Sequence, residues 1–214
     1  MIRNILFDLG GVLYDIDPAR TRVALTQLVR SQGRREGAGQ DAELRAEQTL
    51  KTLAGRYERG QLTTPEFFQA FRRDLQVQAS DEAITQAWNA MLIGPSPAAL
   101  ALFESLPDDL RLALLSNTNE LHHRTFLPSC DVLFRRMERC FYSFQLGQAK
   151  PDPSLVARVL AELRVVPQET LVVDDLAENL AAAQDCGSQV LWVRSLAWPG
   201  ELLSRLRSSS QDGA

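Results

Sequence analysis

The sequence predicts an α/β protein: a doubly wound parallel sheet with a helical unit inserted after its first strand. Three observations predict it. The chain opens on an apolar run, Ile2-Arg3-Asn4-Ile5-Leu6-Phe7, that ends in Asp8 and then the pair Gly10-Gly11. Beyond residue 110, short apolar runs alternate with helical patterns. Between these parts, residues 41–92 carry helical periodicity without strand-like alternation. Nearly continuous apolar runs suit strands buried on both faces. Strand and helix in alternation imply parallel strands joined by right-handed crossovers.

The elements follow in order. The first strand ends at Asp8, and Gly10-Gly11 lets the backbone turn sharply and approach a bound group. Asp17-Pro18 is a helix start, a side-chain cap followed by a ring already at helical φ, so Asp17 reads as a cap. A helix is expected over 19–30, with Val23, Leu25, Leu28 and Val29 as its apolar positions. The stretch 33–39 reads as a loop, and its Arg34-Arg35 pair as solvated. A second helix is expected from residue 41 to about 59, stopped at Gly60. Thr64-Pro65-Glu66 opens a third, with Phe67, Phe68, Phe71 and Leu75 on one face. Ser80-Asp81 caps a fourth that carries Ile84, Trp88, Met91 and Leu92. That aromatic stripe reads as core rather than a ligand cage.

Gly94-Pro95-Ser96-Pro97 marks a boundary. A helix over 98–106 precedes the second strand, 110–119, which ends in Ser116-Asn117-Thr118-Asn119. The next helix carries His122 and His123. Adjacent histidines face different sides of a helix, so they read as ordinary surface or core residues rather than metal ligands. A third strand is expected over 139–144. Lys150-Pro151-Asp152-Pro153 opens a helix to about 163, and 170–175 is the fourth strand, ending in Asp174-Asp175. A helix over 178–186, a fifth strand over 189–193 and a helix over 199–206 complete the pattern. The tail, 208–214, reads as disordered. The division expected is therefore a discontinuous core, 1–14 and 95–207, around a helical unit, 15–94, that lies over the carboxyl edge of the sheet as a lid.

Composition narrows the function. The chain has 214 residues, 45% hydrophobic and 23% charged, with a net charge of −4. These values are ordinary for a globular protein and advertise neither nucleic acid nor an anionic membrane. Cys130, Cys140 and Cys186 form no C-x-x-C pair, which suits reduced thiols. No apolar run approaches the ~18 residues of a membrane span. Met1 leads straight into a strand, which argues against a cleaved signal. A cytoplasmic protein without nucleic-acid or membrane partners is expected, as a monomer or weak homodimer.

The strand ends deliver Asp8, Ser116-Asn117 and Asp174-Asp175, and a helix start delivers Lys150. The carboxyl edge is where open α/β sheets bind ligands. Three carboxylates there repel one another, and a divalent metal with oxygen ligands, Mg²⁺, resolves the repulsion. Lys150 adds positive charge, and the Ser116 hydroxyl with nearby backbone N–H groups adds donors for an anion. Phosphoryl transfer through an aspartyl phosphate uses all of these parts.

In this order the motifs resemble those of the haloacid dehalogenase superfamily of hydrolases over nearly the full length, with a Rossmann-like core and an α-helical cap. Phe7-Asp8-Leu9-Gly10-Gly11-Val12, Leu115-Ser116-Asn117-Thr118-Asn119, Lys150-Pro151 and Asp174-Asp175 with Asn179 carry the resemblance. They look most like the group containing bacterial α-glucose-1-phosphate phosphatases and the N-terminal phosphatase domain of soluble epoxide hydrolases. The resemblance implies a Mg²⁺-dependent phosphatase of small phosphorylated metabolites, with sugar phosphates among the candidates. It implies Asp8 as nucleophile and metal ligand, with the carbonyl of Gly10 and the side chain of Asp175 as further ligands. Asp174 and Asn179 would support them from behind, and Ser116, the Asn117 amide and Lys150 would hold the phosphoryl oxygens. One position departs: the family pattern is Asp-x-Asp, whose second Asp serves as acid and base, and here it is Gly10. Asp15 or a residue of the helical unit is the candidate replacement. Two other readings stay open: a metal-independent dehalogenase, and a weakly catalytic binding or regulatory protein on the same fold.

Overall fold

The computed structural model describes residues 1–31 and 40–211, so the loop expected over 33–39 lies outside the described residues. Five parallel strands form the main sheet in the order β5-β4-β1-β6-β7: β1 Asn4–Phe7, β4 Arg111–Ser116, β5 Met137–Tyr142, β6 Thr170–Asp174 and β7 Gln189–Trp192. β1 lies at the centre, paired with β4 on one side and β6 on the other.

Alternation in β1 explains the two helical layers. Ile5 and Phe7 face a core completed by α5 (Pro97–Ser105), α6 (Glu120–Phe126), α7 (Asp131–Phe134) and α11 (Trp198–Gln211). Leu6 faces the opposite core, completed by α9 (Pro153–Leu163) and α10 (Ala177–Asp185). The sheet is thus doubly wound, as expected.

Between β1 and β4 come α1 (Pro18–Ser31), α2 (Gln40–Glu58), α3 (Thr64–Leu75) and α4 (Asp81–Asn89). Asp17 does cap α1: its Oδ1 accepts from Ala19 N at 3.0 Å. Thr63 and Glu66 form a reciprocal capping box on α3, and Ser80 caps α4. The aromatic stripe is core. Phe67 stacks on Tyr57 with centroids 4.5 Å apart and meets Trp88 edge-on at 4.7 Å.

Four local differences from the sequence expectation have physical reasons. First, the helical unit enters and leaves through an antiparallel ribbon, β2 (Tyr14–Ile16) against β3 (Leu92–Pro95), with Asp15 opposite Gly94. Strands this short carry no readable alternation. Second, β5 begins and ends two residues earlier than expected, because its first half is polar on a sheet edge. Third, residues 143–146, which the expected strand entered, form a short helix, α8 (Ser143–Leu146). Fourth, the tail does not begin at residue 208, since α11 continues to Gln211. Ser208 Oγ donates to Ser204 O, and Ser209 Oγ accepts from Ile2 N at 3.3 Å, which ties that turn to the start of the sheet. Residues 212–214 lie outside the described residues.

The helical unit is fastened to α6. Tyr57 OH accepts from Leu121 N at 3.2 Å, Thr64 Oγ1 bonds Glu120 Oε2, and Asn89 Nδ2 donates to Thr125 Oγ1 at 2.9 Å. At the other side, Gly60 (φ +63°) sits so close to α8 that a Cβ would lie 2.1 Å from Phe144 O. Trp88 is held at both ends. Its Nε1 donates to Asn119 Oδ1 at 3.3 Å, and its carbonyl meets His122 Nε2 at 3.1 Å. A carbonyl only accepts, so Nε2 carries the proton and Nδ1 accepts from Asn119 Nδ2 at 3.2 Å. His122 is therefore a neutral packing residue, and burial pulls its pKa from 6.5 down to about 4.

This depressed pKa makes the docking pH-dependent. Between those two values the unfolded chain binds the proton and the folded one does not. The contribution of His122 is thus complete above pH 6.5 and is lost as pH falls toward 4, on the order of 3 kcal/mol in all. Urea unfolding from pH 4 to 8 checks it. The stability difference between wild type and His122→Gln should shrink on acidification across that window, and a constant difference would refute the assignment.

Candidate active site

Each functional side chain sits where a strand or helix start presents it at the carboxyl edge. Asp8 follows β1, its N–H bonded to Val173 O of β6 at 2.9 Å. Ser116 ends β4, Asp174 ends β6 with Asp175 next, and Lys150 lies just before α9. Asp8, Asp174 and Asp175 bring one carboxylate oxygen each within 4.8 Å of one another.

Lys150 organises the charges. Its Nζ lies 2.7 Å from Asp8 Oδ1 and 2.6 Å from Asp174 Oδ2, with all three side chains nearly inaccessible. Asn117 holds Lys150 in place through the backbone: Asn117 Oδ1 accepts from Lys150 N at 2.8 Å and Nδ2 donates to Lys150 O at 2.9 Å. Burial pulls the Lys150 pKa down, but the Asp8 and Asp174 carboxylates outweigh it and the net shift is upward. The ammonium stays charged.

Asp174 is saturated. Beyond Lys150 it accepts from Asn179 Nδ2 at 2.9 and 3.1 Å and from Leu176 N at 2.9 Å. Asp8 and Asp175 are different. Burial pushes the Asp8 carboxyl up to about 6, against the pull of Lys150. Burial and the neighbouring Asp174 raise Asp175 too. Three carboxylates share one ammonium, and burial makes two of the acids hold their protons more tightly. The donors are all hard oxygens converging on one point, which is the set a Mg²⁺-type cation takes. The residues fit such an ion.

The glycine pair divides its roles. Gly11 has φ +77°, and a Cβ on it would lie 2.5 Å from Asp175 Oδ2, so glycine is required twice over. Gly10 is not in the left-handed region, and a Cβ there would meet only the tip of Ile16, 3.0 Å from Cδ1. Ile16 thus borders the place where the second acid of the family pattern would stand. Asp15 is exposed on β2 and lies outside the carboxylate cluster.

Ser116 is buried beside the cluster, its Oγ 3.5 Å from Asn117 O. The side chain of Asn117 is committed to the Lys150 backbone. Sequence reasoning missed this buttress. It also missed Asn119, which joins the end of β4 to Trp88, although both residues stood in the quoted Ser116–Asn119 stretch. Neither His122 nor His123 belongs to the carboxylate cluster, and His123 packs against Tyr142 at 4.5 Å.

Comparison with known proteins agrees with this architecture. The family model for haloacid dehalogenase-like hydrolases matches residues 2–187. A D-ribitol-5-phosphate phosphatase of Bacteroides thetaiotaomicron is 28% identical over 215 residues, spanning 97% of this chain and 100% of that protein. A HAD family enzyme of Bacteroides thetaiotaomicron, solved with magnesium and inorganic phosphate, superposes with a TM-score of 0.74 at 26% identity, over 90% of this chain and 94% of that one. A HAD-like hydrolase structure from Porphyromonas gingivalis gives a TM-score of 0.79 at 27% identity, over 96% and 98% of the two chains. With its family model spanning most of its length, and this sheet-edge cluster inside the matched region, the chain belongs to the haloacid dehalogenase-like hydrolases.

Proposed function

We propose that the chain is a Mg²⁺-dependent phosphatase of small phosphorylated metabolites, sugar and sugar-alcohol phosphates first among them, acting through an aspartyl phosphate on Asp8. The observation that carries this reading is the Asp8–Lys150–Asp174 ion-pair chain with Asp175 in the same cluster. The full-length likeness to a D-ribitol-5-phosphate phosphatase supports the substrate class. The Asp174-Asp175 pair disfavours a metal-independent dehalogenase, which has no use for a second acid beside Asp174.

A free Asp8 oxygen attacks phosphorus, the bond to the leaving oxygen breaks, and the phosphoryl group passes to the carboxylate. Water then attacks the same phosphorus and returns Asp8 as a carboxylate with release of phosphate. Lys150, the Ser116 hydroxyl and the Asn117 backbone N–H take the phosphoryl oxygens. Asp174, fixed by Asn179, keeps Lys150 in place. Asp8, the Gly10 carbonyl and Asp175 would hold Mg²⁺, which would supply charge neutralisation for the phosphoryl group. The unit 15–94 serves as the lid that selects the leaving group, and the protein works in the cytoplasm as a monomer or weak dimer. Among the described residues no helix is long and apolar enough to cross a membrane. A phosphatase screen over phosphorylated sugars, polyols and nucleotides, with Mg²⁺ and with EDTA, tests the reading. Hydrolysis undiminished in EDTA would overturn it.

Gly10 sets a further expectation. General-acid assistance is worth ~10² to 10⁴ in rate, and without an acid at residue 10 a poorly protonated alkoxide leaves slowly. A plot of kcat/KM against leaving-group pKa should be steep for wild type. The backbone at residue 10 accepts a side chain, and only Ile16 Cδ1 must move. Gly10→Asp, alone or with Ile16→Val, should therefore flatten the plot and help sugar phosphates most. A flat wild-type plot would place another acid in the site.

A further inference from the structure

Asp175 is one of the proposed metal ligands. It follows the last residue of β6, and Gly11 walls one side of its carboxylate. The peptide that joins Asp175 to Leu176 is held at both ends. Its N–H donates to Asp174 Oδ1 at 2.9 Å, and its carbonyl accepts from Trp192 Nε1 at 3.0 Å. Trp192 is the last residue of β7, in register with Asp174, and Val193 N donates to Asp174 O at 2.9 Å. Two successive carbonyls, those of Asp174 and Asp175, are thus anchored at the end of β7, one by the Val193 backbone just past it and one by the Trp192 indole.

Trp192 is otherwise a costly residue to keep there. It stands on an edge strand with 43% of its surface exposed, and the Arg194 guanidinium lies 4.7 Å over its ring. The other two tryptophans, Trp88 and Trp198, are buried. The indole N–H of Trp192 reaches a backbone carbonyl, whereas that of Trp88 reaches a side chain.

We propose that Trp192 is a positioning residue for the metal site: by pinning the Asp175–Leu176 peptide it fixes the backbone that aims the Asp175 carboxylate at Asp8. The inference rests on the Mg²⁺ reading above. Supporting groups of this kind typically change metal affinity by tenfold or more when removed. The indole acts on the ligand's backbone, so the lower end of that range applies.

Trp192→Phe keeps an aromatic ring for Arg194 to cover and removes the donor. Calorimetric titration of the full chain with MgCl₂, with and without inorganic phosphate, should show a dissociation constant about tenfold weaker than wild type. The thermal midpoint in EDTA should stay close to wild type, because the ring is half-exposed and retained. As a second readout, Mg²⁺ should change the tryptophan emission of wild type, through its one exposed indole, and leave that of Trp192→Phe unchanged. An unaltered Mg²⁺ affinity in Trp192→Phe overturns the positioning role and leaves the phosphatase reading standing. A wild type that takes up no Mg²⁺ overturns both.

Discussion

Asp8→Asn should abolish phosphatase activity while making the metal-free protein more resistant to heat. The first effect follows from replacing a carboxylate nucleophile by an amide of the same shape. Loss of the nucleophile in a covalent mechanism costs roughly 10⁴-fold or more. The second follows from the charge cluster. Burial already pushes Asp8 up to about 6, so at neutral pH its carboxylate is held against its preference. An uncharged side chain removes that desolvation cost. Steady-state rates on an aryl phosphate and a melting curve in EDTA check the two halves. A variant that keeps its activity, or that melts well below wild type, would contradict the assigned role.

Lys150→Met should have the largest effect on stability. Lys150 is buried against Asp8 and Asp174, with contacts of 2.7 and 2.6 Å. Removing one partner of a buried ion pair costs about 3–5 kcal/mol, because the charges left behind keep their desolvation penalty. For a chain of this size that is a fall in Tm on the order of 10 °C. Activity should also collapse, since the same ammonium faces the phosphoryl oxygens in the proposed reaction. Mg²⁺ should restore more of the lost Tm in Lys150→Met than it adds to wild type, because the metal answers the same carboxylates. Equal melting of the two proteins in EDTA would show that the cluster needs no internal cation.

What the sequence revealed follows the physics of burial. β1, β4 and β6 are covered on both faces, so past their first residues (Asn4, Arg111 and Thr170) they stay apolar until a polar residue marks the carboxyl end. Asp8, Ser116 and Asp174 stand at those ends and were legible there. β5 was misplaced because an edge strand has one neighbour and tolerates Glu138 and Arg139 in its first half. β2 and β3 escaped notice because a three- or four-residue ribbon has no period to read. Within the site, residue types were legible and pairings were not. That Asn117 would bind the backbone of Lys150, or that one ammonium would bridge Asp8 and Asp174, depends on loops converging from distant positions. Trp192 read as one more strand residue, because nothing local signals which carbonyl an indole will reach.

The ribbon that carries the chain out of the sheet and back has a consequence for how this architecture can be rebuilt. Outgoing Asp15 and returning Gly94 stand side by side, so everything between them could be exchanged as a cassette without altering the spacing of the core strands, as with other insertions whose ends lie close together. The receptor for that cassette, however, lies elsewhere. Asn119 and His122, which grip Trp88, belong to the start of α6, just past the end of β4. A chimera built by joining only at the ribbon would bring a foreign helix against an asparagine and a neutral histidine with no matching indole or carbonyl, leaving buried donors and acceptors unanswered. The unit we expect to be transplantable is therefore discontinuous: residues 15–94 together with the first turn of α6.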